Sequence, residues 1–183
     1  MIKAIAAIRY GDGALGYNNK LIHSDRGDMA RFKQLTLESD VILMGSNTAK
    51  SLGRPLPGRH CIVCTTSPGK QKALFDKGFD IVSGKFIQEL LDEYKGRKGK
   101  DLMIIGGGML YNSMLPQIEL FHLTVMGEPN GELYKKIHRS KADSFLDLFF
   151  TNQEEWVLDW SGLSLTNKEV VYYDYRRHDD SNC

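Results

Sequence analysis

The sequence predicts an α/β fold: a single domain spanning residues 1–183, with a central, mostly parallel sheet, an antiparallel C-terminal edge and about four flanking helices. Three observations lead there. Short apolar runs recur along the chain as almost continuous hydrophobic stretches, which suits strands covered on both faces. Segments of helical period separate several of these runs, and that alternation is the pattern of a parallel sheet. The tail holds WVLDW and VVYYDYRR, two strand-like runs joined by a polar loop, which read as a closing antiparallel hairpin.

Taken in order, IKAIAAIR is the first buried strand, and GDGALGYNNKL after it is a loop dense in Gly and Asn. A helix follows from about Asp25 to Leu37, with Phe32, Leu35 and Met29 on its apolar side, and VILMG at 41–45 is the next strand. GRPLPGR at 53–59 is a stiff, turn-rich connector. CIVCTT, FDIVS and LMIIGG are further short strands, FIQELLDEY between the last two is a helix, and IIGGGMLYNSML is a strand end running into an apolar-periodic helix. LFHLTVMG at 120–127 alternates like a strand, whereas GELYKKIHRSKADSF at 131–145 shows no clear period. KGRKGK at 95–100 reads as a solvated loop.

Composition narrows the function. The chain has 183 residues, 42% hydrophobic and 26% charged, with a net charge near +1, so no basic face points to nucleic acid or an anionic membrane. A small-molecule substrate is the expectation. No apolar run approaches the roughly 20 residues that span a bilayer, and the N-terminus lacks a secretory pattern, so a cytoplasmic protein is expected; a monomer is the separate expectation for its assembly. The cysteines are Cys61, Cys64 and Cys183. Cys61 and Cys64 lie three apart within a strand, where their side chains point to opposite faces, so neither a redox pair nor a metal is expected.

Three features suggest chemistry. The glycines at 106–108 follow a strand and open a helix, where backbone can approach a ligand and helix N–H groups can meet a phosphate; a tight turn needing unusual dihedrals would explain them equally, and the spacing is not G-x-G-x-x-G. MGSNTAKSLGRPLPGR at 44–59 carries Asn47, Thr48 and Ser51, then Arg54 and Arg59 stiffened by prolines, which suits an anionic ligand; surface ion pairing is the alternative for either arginine. Asp25 and Asp28 open the first helix. Asp25 fits an N-cap, whereas Asp28 shares a face with Phe32 and would be drawn inward, where a carboxylate needs a partner.

These features occur together and in order, and the chain resembles dihydrofolate reductases along nearly its whole length. The resemblance is carried by AIAAI, G-x-x-L-G-Y-N-N-K-L, Asp28 with Phe32-Lys33 and Thr36, MG-x-x-T-x-x-S-L-GRPLPGR, IIGGGMLY and LTVM. It implies a dihydrofolate reductase-like fold and NADPH-dependent reduction of 7,8-dihydrofolate to tetrahydrofolate. Asp28 then takes the position of the pterin-binding carboxylate and Thr124 that of its supporting hydroxyl. Phe32 would pack on the substrate rings, Arg59 would hold the glutamate α-carboxylate, and the carbonyls of Ile5 and Ile105 would accept from the pterin amino group. Ala6, Lys33, Leu52, Arg54, Leu56 and Tyr111 complete the implied substrate site. Ala7, Leu15, Gly16 and Asn19 would border the nicotinamide. Ser46, Asn47, Thr48, Ser51, Cys64, Thr65 and Thr66 would line the adenosine side, with Ile105, Gly106, Gly107, Gly108, Met109, Leu110 and Tyr111 around the diphosphate. The resemblance also implies a cis Gly106–Gly107 bond.

Some positions depart from the family. The family's usual Pro-Trp before the helix is Ile22-His23 here, which puts a titratable side chain, His23, near the proton path. The common basic residue after MG is Ser46, and the stretch before Asp143-Ser144 is longer than the family loop. Asp28 is assigned to binding, orientation and polarisation, with water as the proton donor to N5. Two other readings stay open: a riboflavin-pathway pyrimidine reductase, and a weakly catalytic folate- or nucleotide-binding protein, which the Ile22-His23 replacement would favour.

Overall fold

A computed structural model describes residues 1–146 and 153–178. Eight strands form one sheet: β1 (Ile2–Arg9), β4 (Val41–Gly45), β5 (His60–Thr65), β6 (Asp80–Ser83), β7 (Leu102–Ile104), β8 (Leu120–Met126), β10 (Trp156–Leu163) and β11 (Val170–Arg177). Their order is β10-β11-β8-β1-β7-β4-β5-β6. Pairing from β8 through β6 is parallel, while β11 runs antiparallel to β8 and β10 antiparallel to β11. The tail is thus the expected hairpin at an antiparallel edge.

Side-chain alternation divides the core into two layers. Ile2, Ala4, Ala6 and Ile8 of β1 and Val41 and Leu43 of β4 join one buried cluster; Ile5, Ile42 and Met44 join the other. Both faces are buried, which is why these strands read as unbroken apolar runs. Cys61 and Cys64 obey the same alternation, Cys61 in the second cluster and Cys64 against the first, while Cys183 lies outside the described residues.

The described residues hold six α-helices: α1 (Arg26–Leu37), α2 (Ser46–Leu52), α3 (Lys72–Phe75), α4 (Ile87–Asp92), α5 (Gly108–Met114) and α6 (Glu132–Ile137). The sequence suggested about four. The helices it did not name, α2, α3 and α6, span seven, four and six residues, which leaves little room for a period to register. α6 forms in the stretch that had no clear pattern: Leu133 and Ile137 are buried one turn apart, and the Glu169 carboxylate accepts from the N–H groups of Leu133 and Tyr134.

A second, small sheet has the order β3-β2-β9, with β2 (Ala14–Tyr17), β3 (Lys20–Leu21) and β9 (Ser144–Phe145). The Gly/Asn-rich loop is therefore partly a hairpin. Asn18 and Asn19 turn it with φ of 49° and 59°, a left-handed conformation that Asn tolerates in two-residue hairpins.

Candidate active site

Sheet order brings three of the singled-out segments together. β7, β4 and β5 are parallel neighbours, so Ile105–Tyr111, Ser46–Ser51 and Cys64–Thr66 all emerge at or beside adjacent carboxyl ends, where open α/β sheets place their ligands. The turns after β4 and β7 nearly touch: the Gly45 N–H donates to the Gly106 carbonyl at 2.7 Å, and Gly106–Gly107 is a cis bond. A Cβ on Gly106 would lie 3.2 Å from the Thr48 hydroxyl, and Gly106 has a φ of 128°. The backbone angle calls for glycine there, and the Thr48 hydroxyl leaves a Cβ little room.

Around this junction the segments differ in exposure. Tyr111 is buried and its hydroxyl donates to the Ile5 carbonyl at 2.5 Å, tying α5 to β1. Gly108 faces inward, where a Cβ would meet Ser144 Oγ at 2.7 Å. Met109 is fully open to solvent and Leu110 half-buried. Asn47 and Thr66 are exposed, and Ser46, Thr48, Cys64 and Thr65 are half-buried. The exposed Ser51 donates to the Asn19 carbonyl at 2.6 Å, and Asp143 accepts from the Asn18 N–H at 2.9 Å, so the β2–β3 hairpin tip is fastened from two sides. Leu15 is buried within that hairpin, and a Cβ on Gly16 would collide with the Lys20 carbonyl.

α1 crosses the sheet face that carries Ile5, Ala7 and Thr124. Asp25 caps it, accepting from the Asp28 N–H at 2.9 Å. Asp28 is 6% exposed, and its carboxylate accepts from the Thr124 hydroxyl at 2.6 Å. Their surroundings drive the two aspartates apart. Burial raises the Asp28 pKa, opposed by the Thr124 hydrogen bond and the Arg31 charge. Burial also acts on Asp25, but hydrogen bonds from the Asp28 N–H, Thr166 and Ser164 outweigh it and hold Asp25 below the usual carboxylate range. Hydrogen bonds hold the Asp25 carboxyl as an anion, while that of Asp28 is buried against the Thr124 hydroxyl.

Further along α1, Phe32 packs on the second core cluster with Leu56, and Lys33 is exposed. Arg59 is half-buried: its Nη1 donates to the Thr36 hydroxyl at 2.9 Å and its Nε to the Pro57 carbonyl. Arg54 and Leu52 are exposed. His23, half-buried, lies in the segment between the hairpin and α1, where the Ile22 N–H bonds the Leu15 carbonyl.

A sequence model described as dihydrofolate reductase matches residues 1–156. The chain belongs to the dihydrofolate reductase family. Among its relatives, a dihydrofolate reductase type 3 from Salmonella typhimurium is 32% identical over 136 residues, covering 73% of this chain and 77% of that protein. A dihydrofolate reductase from Bacillus subtilis is 33% identical over 110 residues, 60% of each chain. In fold, the chain is similar to the dihydrofolate reductase from Enterococcus faecalis, solved in complex with NADP(H) and RAB-propyl: TM-score 0.78, 23% identity, 98% of this chain and 97% of that one.

Dihydrofolate reductase motifs drew attention to Asp28 and Thr124 but not to the polar residues behind them. Arg31, His122 and Asp174 form a largely buried cluster one turn along α1, and Ser164 and Thr166, in the loop joining β10 to β11, bond Asp25. Arg31 had a signal, its spacing of three from Asp28 on a helix. The hydroxyls had none, because they reach α1 from about 140 residues away.

Proposed function

We propose that the chain reduces 7,8-dihydrofolate to 5,6,7,8-tetrahydrofolate, with NADPH as reductant. A single observation carries the reading: in a member of this family, a buried carboxylate, Asp28, rests on Thr124 of β8 beside β1, and the glycine junction at the ends of β7 and β4 lies across β1 from it. Asp28 binds and orients the pterin through its N–H edge, and Thr124 fixes the rotamer and supports the charge. The carbonyls of Ile5 and Ile105 accept from the pterin amino group. Phe32, with Ala6, Leu52 and Leu56, lines the ring-binding walls, and Arg59 holds a carboxylate at the outer end, with Lys33 and Arg54 nearby. Water delivers the proton to N5, with Asp28 polarising the ring and His23 bordering its route.

The glycine junction fits a dinucleotide. Its backbones approach so closely that a side chain on Gly106 would fill the gap beside Thr48. Gly106, Gly107, Gly108, Met109 and Leu110 would hold the diphosphate, Ser46–Thr48, Ser51 and Cys64–Thr66 the adenosine side, and Ala7, Leu15, Gly16 and Asn19 the nicotinamide. When bound, NADPH supplies the hydride. The chain acts as one monomeric, cytoplasmic domain in this reading; the central sheet runs from residue 2 to residue 177, and no helix among the described residues is long and apolar enough to cross a membrane.

The test is oxidation of NADPH with dihydrofolate, run beside NADH and beside a ribosylated aminopyrimidine. Dihydrofolate-dependent oxidation is expected. Turnover of the aminopyrimidine alone, or of neither, would refute the reading.

A further inference from the structure

Behind Asp28 lies a polar row that the proposed chemistry leaves unused. Arg31 follows Asp28 by three residues on α1, so both point from the same side of the helix. On the sheet beneath, β8 and β11 pair Thr124 with Tyr172 and His122 with Asp174. Asp28 sits on the first pair. Arg31 reaches the second: its Nη2 donates to Asp174 Oδ1, an oxygen that also lies 2.7 Å from His122 Nδ1. The guanidinium stands over the rings of Tyr172 and Trp160, 5.1 and 5.8 Å from their centroids. Its Nη1 is buried, with no hydrogen-bond partner among the described residues.

Moving a cation out of water is costly, and a half-satisfied one more so. The Arg31 side chain is only 13% exposed, and His122 and Asp174 behind it are 6% and 22% exposed. Four contacts therefore fix this charge: the Asp174 carboxylate, the His122 ring and the faces of Tyr172 and Trp160. It is held one helical turn from the one carboxyl that meets substrate. We propose that Arg31, pinned by Asp174 and His122, is a positioning residue whose fixed cation keeps the Asp28 carboxyl ionised and aligned for its ligand.

The electrostatics agree with the geometry. Burial lifts the Asp28 pKa, while the Thr124 hydroxyl and then Arg31 draw it back. The remaining titratable groups around Asp28 are Asp25 at the start of α1, Tyr111 of α5 and Tyr172 of β11. Asp25 opposes ionisation of Asp28, and Asp28 in turn disfavours ionisation of the two tyrosines. Arg31 is the cation that acts on this carboxyl, so neutralising it leaves burial less opposed.

The inference rests on Asp28 being the substrate carboxylate, but its test needs no turnover. The Asp28 carboxyl is titrated by carbon-13 NMR in ligand-free, aspartate-labelled protein, its resonance assigned with Asp28→Asn. Arg31→Met removes the charge and keeps a side chain that covers Tyr172 and Trp160; the midpoint is expected to rise by about half a pH unit or more. Arg31→Gln, which still offers an N–H to Asp174, is expected to move it the same way and decides the matter if the methionine variant does not fold. Arg31→Lys keeps the charge and is expected to stay within about 0.3 units of the unaltered protein. The pH profile of single-turnover hydride transfer should move with the midpoint. An unmoved midpoint in the neutral variants, whatever their melting temperature, overturns the proposal and leaves Arg31 a structural ion pair. If the unaltered protein fails to turn over dihydrofolate, the functional reading falls, and the titration still decides the role of Arg31.

Discussion

Asp28→Asn separates catalysis from folding more sharply than any other single change, because its two effects should have opposite signs. Asparagine keeps the side chain's shape, and its amide oxygen can still accept from Thr124, now at 2.6 Å from Asp28. What disappears is the charge and the second acceptor, replaced by an N–H₂ group facing the ligand's own donors. A mismatched buried polar group costs about 1–3 kcal/mol, and more where a charge was involved. At about 1.4 kcal/mol per decade, single-turnover hydride transfer at neutral pH should slow at least ~10-fold. The loss should shrink in acid, where protonated dihydrofolate needs less help. Stability should move the other way. Burial raises the Asp28 pKa, so between the ordinary carboxylate value and the raised one the folded state binds more protons than the unfolded state. Stability then falls as pH climbs from the ordinary carboxylate range through the raised Asp28 value. Asparagine escapes that loss, so the variant should melt higher than the unaltered protein at neutral pH, with the difference closing in acid below both values. Stopped-flow transfer and thermal melts across pH check both halves. Transfer within twofold of the unaltered rate, or a lower neutral melting temperature, would refute the placement of Asp28 as a buried substrate carboxylate.

Asp25 should behave in the reverse manner. Its folded pKa is lowered, so its contribution is present above the ordinary carboxylate range and lost as pH falls through the depressed value. Asp25→Ala removes the N-cap and the acceptor for Ser164 and Thr166, and should cost about 1–2 kcal/mol in denaturant titrations, while Asp25→Asn, which still caps, should cost less. For the cofactor, NADPH is expected to be preferred over NADH by kcat/KM, because the exposed Thr66 and Lys70, just after β5, can contact a 2′-phosphate, and Ser46→Arg should widen the margin; equal kcat/KM for the two in the unaltered protein would contradict this. His23→Trp should change the rate of single-turnover hydride transfer, and an unchanged rate would show that His23 takes no part.

The division between what could be read along the chain and what could not follows the range of the forces involved. Alternation in IKAIAAIR and VILMG exposed strands buried on both faces, since each residue's environment repeats every second position. The N-cap role of Asp25 was equally local, depending on residues within one turn. The glycines at 106–108 announced an unusual backbone but left open whether a turn or a ligand required it. Only the sheet order, which sets β7 beside β4, shows Gly106 pressed against Thr48 and Gly45. α6 went unseen because six residues with two buried positions carry too little period, and its start is capped by Glu169 from outside the segment.

Arg31 shows where local reading stops. On a helix wheel it lies beside Asp28 and would pass for a solvent-facing cation forming an i, i+3 pair, worth a few tenths of a kcal/mol. Its burial comes from the tail hairpin, which lays β11 along β8 and brings Asp174 and Tyr172 beneath α1, with Trp160 of β10 beside them. The same hairpin's loop supplies Ser164 and Thr166 to Asp25. Both ends of the α1 segment that presents Asp28 are therefore held by residues of the tail hairpin, its loop at one end and its strands at the other. Changes in β10 and β11 should be felt at Asp28 before they are felt at the glycine junction, which lies on the far side of β1, beside β4 and α2.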